Sequence, residues 1–269
     1  MDQEALTGSL LAVDLGPGAS GYFTTRGPVP WREGGPYAGF NLALHVGDDP
    51  ARVESHRGRL ARELGATPGV DGREGIAWMN QVHSASVAGA VTDAVPTADA
   101  LVLDIRSTTY AEPDVGRAPL PAAAAVLVAD CVPLLLAGAG GEVVAAVHAG
   151  RRGLLGGIVP AAVGALVDAG AEPSDIWAAI GPSICGACYE VGADLHDAAA
   201  QAEPACASTT RWGTPGIDLA AGVTAQLEHA GVRHILDVRR CTYEDGDLFS
   251  YRHSGVTGRQ AGVVVPMLR

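Results

Sequence analysis

The chain has 269 residues, 48% hydrophobic and 18% charged, which suits one large domain or two small ones and excludes a disordered chain. A formal charge of −12 at pH 7 argues against electrostatic binding to nucleic acid or to anionic membranes. All 18 basic residues are Arg, which excludes a Schiff-base Lys and the Lys of a Walker phosphate loop, and leaves any anionic ligand to Arg and backbone N–H groups.

In chain order, Met1-Asp-Gln-Glu is acidic and lacks the basic-then-apolar pattern of a secretory signal. Five Cys without regular spacing make no disulfide framework, so a reducing cytoplasm is the expected setting. Gly16-Pro-Gly18-Ala-Ser-Gly21 matches the dinucleotide fingerprint as a string, but the following Tyr22-Phe-Thr-Thr favours strand where the fingerprint must open a helix. Asp49-Pro50 predicts a helix start and Gly65 its end. A Gly/Pro/Asp-rich stretch from Gly65 to Gly75 follows, and residues 104–121 read as a surface loop suited to carrying a lid. The apolar stretch Pro121 to Gly141 is interrupted by Asp130, Cys131 and Pro133 and is no membrane span.

From Val126 the pattern becomes strand, strand, helix, strand. Val126–Ala129 and Val143–Val147 are short, apolar and rich in Val, as buried strands are. Leu154–Val167 carries a helical apolar stripe, with Pro160 inside it demanding a later start or a kink. Ile176–Ile180 predicts a further strand, and Asp218–Ala230 a helix ended by Gly231. The alternation predicts a mixed α/β architecture.

Three residues carry the chemistry. His83, Cys131 and His148 each end a short apolar run, and two imidazoles with one thiolate can hold zinc tetrahedrally with the fourth position open, as catalytic sites do. The same donors suit a blue-copper centre, with Met79 four residues before His83. The separations, 48 and 17 residues, fit no zinc-finger spacing. Strand-to-helix passage through His148-Ala-Gly-Arg-Arg-Gly153 could bind an anion at free N–H groups with Arg151 and Arg152, or be a tight turn with solvated Arg side chains. Cys185-Gly-Ala-Cys188 lacks the second Cys pair that zinc sites usually use, and reads as small residues in a tight turn. Asp130 either orients a ligand histidine or caps the turn after its strand.

Taken in order, Thr-Arg26-Gly, Asn41-Leu-Ala-Leu-His45, Gln81-Val-His83, Ala-Asp99-Ala, Ala-Asp130-Cys131, Val-His148-Ala-Gly, Ile-Gly-Pro-Ser-Ile, Cys188-Tyr-Glu-Val-Gly and Ser-Tyr-Arg252 resemble the YfiH-like family, also called laccase-domain or multicopper polyphenol oxidoreductase proteins. The likeness runs from about Phe23 to Val265. It implies a single α/β (α+β) domain over residues 1–269, with mixed β-sheets sandwiched between helices, and a Zn2+ site of His83, Cys131 and His148. It further implies phosphorolysis of purine nucleosides (adenosine, inosine, guanosine, methylthioadenosine) with phosphate as co-substrate, and deamination of adenosine. Substrate contacts are expected at Arg26, Asn41, Gln81, Arg152 and Arg252. Arg151 stands where the family usually has Trp, and His253 where it usually has a second Arg; both departures bear on substrate preference. Copper oxidation fits poorly, because a trinuclear cluster needs His-x-His pairs and none occurs among the eight His. Two other classes remain open from the residues: a Cys–His hydrolase acting on an amide or ester, and a non-catalytic zinc-stabilised binding protein.

Overall fold

Alternation of side chains along short apolar runs builds two stacked sheets, seen in a computed structural model that describes residues 9–27, 34–67, 75–106 and 120–267. In chain order the first half contains β1 (Leu10–Asp14), β2 (Ala19–Thr24), α1 (Pro50–Glu63), β3 (Ile76–Ala77), β4 (Val87–Gly89), β5 (Ala100–Asp104), β6 (Ala123–Val128), β7 (Val132–Gly138) and β8 (Val143–Ala149). The second half contains α2 (Arg151–Leu155), α3 (Ile158–Asp168), β9 (Trp177–Ile180), α4 (Ala193–Ala202), β10 (Ala207–Thr209), β11 (Pro215–Ile217), α5 (Leu219–His229), β12 (His234–Asp237), α6 (Tyr251–Ser254) and β13 (Gln260–Pro266). One sheet has the order β1-β2-β13-β6-β3 and the other β12-β9-β7-β8-β5-β4, with β10-β11 as a separate pair. Both large sheets are mixed: β3·β6, β12·β9 and β4·β5 are parallel, and the remaining pairs antiparallel.

Period-two alternation decides the layers. Along β7, Leu134 and Leu136 face α3 and α5, whereas Leu135 faces the other sheet. Along β6, Ala124, Val126 and Val128 face the inter-sheet layer, and Ala123, Ala125 and Leu127 face the α1 side. The result is helix, sheet, sheet, helix, the sandwich expected from the sequence. Both faces of these strands are covered, which is why they read as continuous apolar runs.

Several local expectations hold for visible reasons. The Asp49 carboxylate accepts from Ala51 N–H at 3.0 Å to start α1, and Asp218 does the same from Ala221 N–H, also 3.0 Å, for α5. Gly16 and Gly18 turn β1 into β2, so the rejected dinucleotide string is a hairpin. The helix expected over 154–167 is two helices, broken at Gly156-Gly157, where Gly157 takes φ +89°; Pro160 then falls in the first turn of α3 and costs no hydrogen bond. The sequence reading missed β7. Its Pro133 pairs with His148 of β8 and lies at the end of the β9 ladder, where its carbonyl accepts from Gly181 N–H at 2.9 Å. The surface loop expected over 104–121 lies mostly outside the described residues, as does the N-terminal segment Met1 to Glu4. Among the described residues no helix is long and apolar enough to cross a membrane.

Candidate metal centre

The chain crosses from one sheet to the other between β6 and β7, and Asp130 makes that crossing at φ +95°, a left-handed conformation rare outside Gly. Cys131 follows it. His148 projects from β8 towards the inter-sheet side, next to Cys131, and His83 arrives on the loop after β3, itself at φ +60°. One donor atom from each of His83, Cys131 and His148 lies within 4.8 Å of the other two. The two imidazole rings meet edge to face, with centroids 4.7 Å apart and 69° between planes. Residues separated by 48 and 17 positions therefore share one point, as expected.

A single carboxylate organises both histidines. Asp99, fully buried just before β5, accepts from His148 Nδ1 at 2.8 Å, from the backbone N–H groups of His83 (2.9 Å) and Ser84 (2.6 Å), and from the Ser84 hydroxyl at 2.7 Å. With Nδ1 committed, His148 offers Nε2 to the centre. Burial opposes the Asp99 charge, yet the bonds from His148 and Ser84 outweigh it and hold the carboxyl well below the usual range. Burial also opposes charge on His148, but Asp99 and the Cys131 sulfur outweigh it, pushing the group up to about 9. Burial, then the neighbouring His148, lower the pKa of His83 and favour the neutral imidazole that a metal binds.

The donor set fits zinc. Two imidazoles and one sulfur converge, one imidazole is oriented by a carboxylate, and the clefts described below are lined by the same residues. Gly150 guards the approach: a Cβ there would sit 2.6 Å from His83 Nδ1 and 3.1 Å from Cys131 Sγ. Gly150→Ala is accordingly expected to displace the His83 ring and weaken zinc binding by about 10–100-fold, measured by chelator competition on protein with unchanged circular dichroism.

Two clefts meet at the triad. The larger, of about 620 Å³, is lined by His45, Asn80, Gln81, Tyr251 and Arg259 as well as by His83, Cys131 and His148. The smaller, about 360 Å³, carries Arg151, Arg152, Tyr189, Tyr251 and Arg252 beside His83 and Cys131. Arg252 donates to the Glu190 carbonyl at 2.6 Å and lies 5.0 Å over the Tyr189 ring. Burial lowers the pKa of Arg259, opposed by Asp130 and Cys131, and burial together with Arg259 lowers that of His45.

The other residues singled out from sequence fall in different places. Gln81 lines the larger cleft but grips the strand beneath it, donating to Leu127 C=O at 2.7 Å and accepting from Leu127 N–H at 2.9 Å. Asn41 is buried behind the cleft, accepting from Arg259 N–H at 2.9 Å and donating to Asp48 at 2.9 Å. Arg26 is buried outside both clefts, donating to Ala38 C=O at 3.1 Å beside a small separate cavity with Thr242 and Ser250. Asp130, expected either to orient a ligand histidine or to cap its turn, accepts instead from the Thr242 and Ser250 hydroxyls at 2.7 Å each and from Arg252 N–H at 2.6 Å. The histidine-orienting carboxylate is Asp99. Sequence reasoning assigned no role to Asp99; the available signal for it was an acid opening an otherwise apolar strand.

Comparison with known proteins identifies the family and the fold. Residues 22–267 match the family described as multi-copper polyphenol oxidoreductase laccase. A Streptomyces coelicolor protein named as a purine nucleoside phosphorylase is 46% identical over 229 residues, covering 85% of this chain and 88% of the relative. The Shigella flexneri purine nucleoside phosphorylase YfiH is 33% identical over 237 residues, covering 85% of this chain and 87% of the relative. The crystal structure of a Neisseria meningitidis protein superposes with a TM-score of 0.79 at 32% identity, covering 97% of this chain and all of that one. With the match spanning both sheets and all three converging donors, this chain belongs to the YfiH-like family of laccase-domain proteins.

Proposed function

We propose that this protein is a zinc-dependent purine nucleoside phosphorylase that also deaminates adenosine, working in the cytoplasm as one catalytic domain over residues 1–269. The observation that carries the reading is the meeting of two clefts, each with cationic side chains, at one metal-binding triad. Phosphorolysis brings two substrates to one carbon, so it needs two subsites converging on one point. The larger cleft falls in the size range of a small-molecule site. It would take the nucleoside, with His45, Asn80 and Arg259 as its polar contacts.

Phosphate would take the smaller cleft. Arg151, Arg152 and Arg252 supply fork-shaped donors there, and the Arg252 plane is fixed by the Glu190 carbonyl and the Tyr189 ring. Held in that place, a phosphate oxygen attacks C1′ as the bond to the purine nitrogen breaks and its electron pair leaves with the base. His83, Cys131 and His148 would hold zinc, which when bound supplies Lewis-acid polarisation of an oxygen at its fourth position. Asp99 keeps His148 in the ligating tautomer throughout. The curated relatives named as purine nucleoside phosphorylases support the substrate class.

The run Asp99, His148, Cys131 also has the order of an acyl-transfer triad, with an orienting acid, a base and a thiol. Mass spectrometry of products separates the two readings. Incubation with inosine is expected to give hypoxanthine and ribose 1-phosphate only when phosphate is present, and adenosine to give inosine in addition. Both nucleosides returned unchanged by zinc-loaded protein would overturn the phosphorylase reading and leave the Cys–His hydrolase.

A further inference from the structure

The Cys185-x-x-Cys188 pair lacks a second Cys pair in the sequence, and the fold supplies a different partner. One donor atom from each of Cys185, Cys188, Cys241 and Glu244 lies within 4.8 Å of the other three. At a zinc–sulfur distance of about 2.3 Å, tetrahedral thiolates stand roughly 3.8 Å apart, so a small adjustment closes this set on one ion. None of the four belongs to the His83 centre.

The two halves are built alike. In the first, the Cys185 carbonyl accepts from the N–H groups of Cys188 and Tyr189, both at 2.9 Å. In the second, the Cys241 carbonyl accepts from those of Glu244 and Asp245, at 3.2 and 2.9 Å. Cys-x-x-Cys and Cys-x-x-Glu thus form two turns of one design, each presenting its first and fourth side chains together. A parallel bridge between Ser183 and Cys241 sets them side by side, with Ser183 N–H on Arg240 C=O and Thr242 N–H on Ser183 C=O, each 3.1 Å. Cys185 N–H points at the Cys241 sulfur at 3.4 Å, the kind of N–H···S contact that steadies a thiolate.

Charge also fits. Three thiolates and a carboxylate around a divalent ion carry a net charge of −2, and Arg211 is placed against it. Its guanidinium lies 2.8 Å from Cys188 Sγ and 2.7 Å from the Glu244 carboxylate. All three cysteines are free of disulfide links. We propose that Cys185, Cys188, Cys241 and Glu244 form a second zinc site, structural in role, that fastens the loop after β9 to the loop after β12. Four protein ligands close the coordination sphere, so this site has no open position for substrate. Its place gives it work to do. The first loop delivers Ile184 N–H to the Asp130 carbonyl at 2.9 Å and carries Tyr189 into the smaller cleft, and the second delivers the Thr242 hydroxyl to the Asp130 carboxylate. The zinc therefore braces the chain on either side of Asp130, the residue before the Cys131 ligand.

The full-length protein provides the test. Differential alkylation mapped by peptide mass spectrometry, with zinc and with excess chelator, is expected to show Cys185, Cys188 and Cys241 protected by zinc by about tenfold or more. Elemental analysis should find two tightly held zinc ions per chain. The variant His83→Ala, Cys131→Ala, His148→Ala should keep one of them, and its cobalt-substituted form should show sulfur-to-cobalt charge transfer. Equal alkylation of the three cysteines with zinc and with chelator would overturn the proposal, as would a folded triple variant that retains no metal. Because the readouts are metal content and thiol protection, they stand whether or not the phosphorylase reading does.

Discussion

Cys131→Ala is expected to reduce nucleoside phosphorolysis at least about 1,000-fold while leaving the far-ultraviolet circular dichroism unchanged. The asymmetry between the two effects follows from its position. Cys131 is only half-buried at the sheet crossing, so removing one sulfur opens little cavity in either core layer. For the metal centre the loss is severe: the one sulfur donor of the three is gone, and two imidazoles remain. Steady-state assays with inosine and phosphate, on protein reconstituted with zinc, provide the comparison. A rate within about tenfold of the parent would sink the metal-centred mechanism.

Asp99→Ala should hurt folding instead. The carboxylate is fully buried and satisfies an imidazole, two close backbone N–H groups and a hydroxyl at once. Its removal leaves these donors in a water-poor place and the His148 imidazole without its counter-charge, a change that costs about 3–5 kcal/mol in buried pairs. Asp99→Asn retains the shape and one acceptor oxygen, so a smaller loss of about 1–3 kcal/mol is expected. Urea unfolding of the metal-free proteins gives both values without interference from zinc linkage. An Asp99→Ala variant within about 1 kcal/mol of the parent would show that loop 82–84 is held by other contacts.

How far the sequence anticipates this molecule depends on what each residue's neighbours are. Asp49, Pro50 and Gly65 act within one helix, so the ends of α1 are legible directly. His83, Cys131 and His148 stand at the ends of apolar runs, which places them above sheets without saying that they meet; the family resemblance supplied that step. The role of Asp99 could not be read locally, because its partners lie 15 to 49 positions away. Cys185 and Cys188 looked incomplete for the same reason: Cys241 and Glu244 come from beyond two further helices. Arg26 shows the opposite limit. Its motif suggested a substrate contact, yet its guanidinium packs 5.1 Å over the Phe249 ring beneath the surface.

The pairing of β5 with β8 has a further consequence. Asp99 and His148 are joined twice, by His148 N–H to the Asp99 carbonyl at 2.7 Å and by Nδ1 to its carboxylate at 2.8 Å. Sliding β8 by a single residue would swing the imidazole through the sheet to the helix side. An ion bound by His83, Cys131 and His148 would therefore act as a proofreader of assembly: a chain that has misaligned its central strands has no place to hold it. During refolding, metal capture at His83, Cys131 and His148 should coincide with correct alignment of these strands, so that ion uptake at this one site becomes a clock for their pairing.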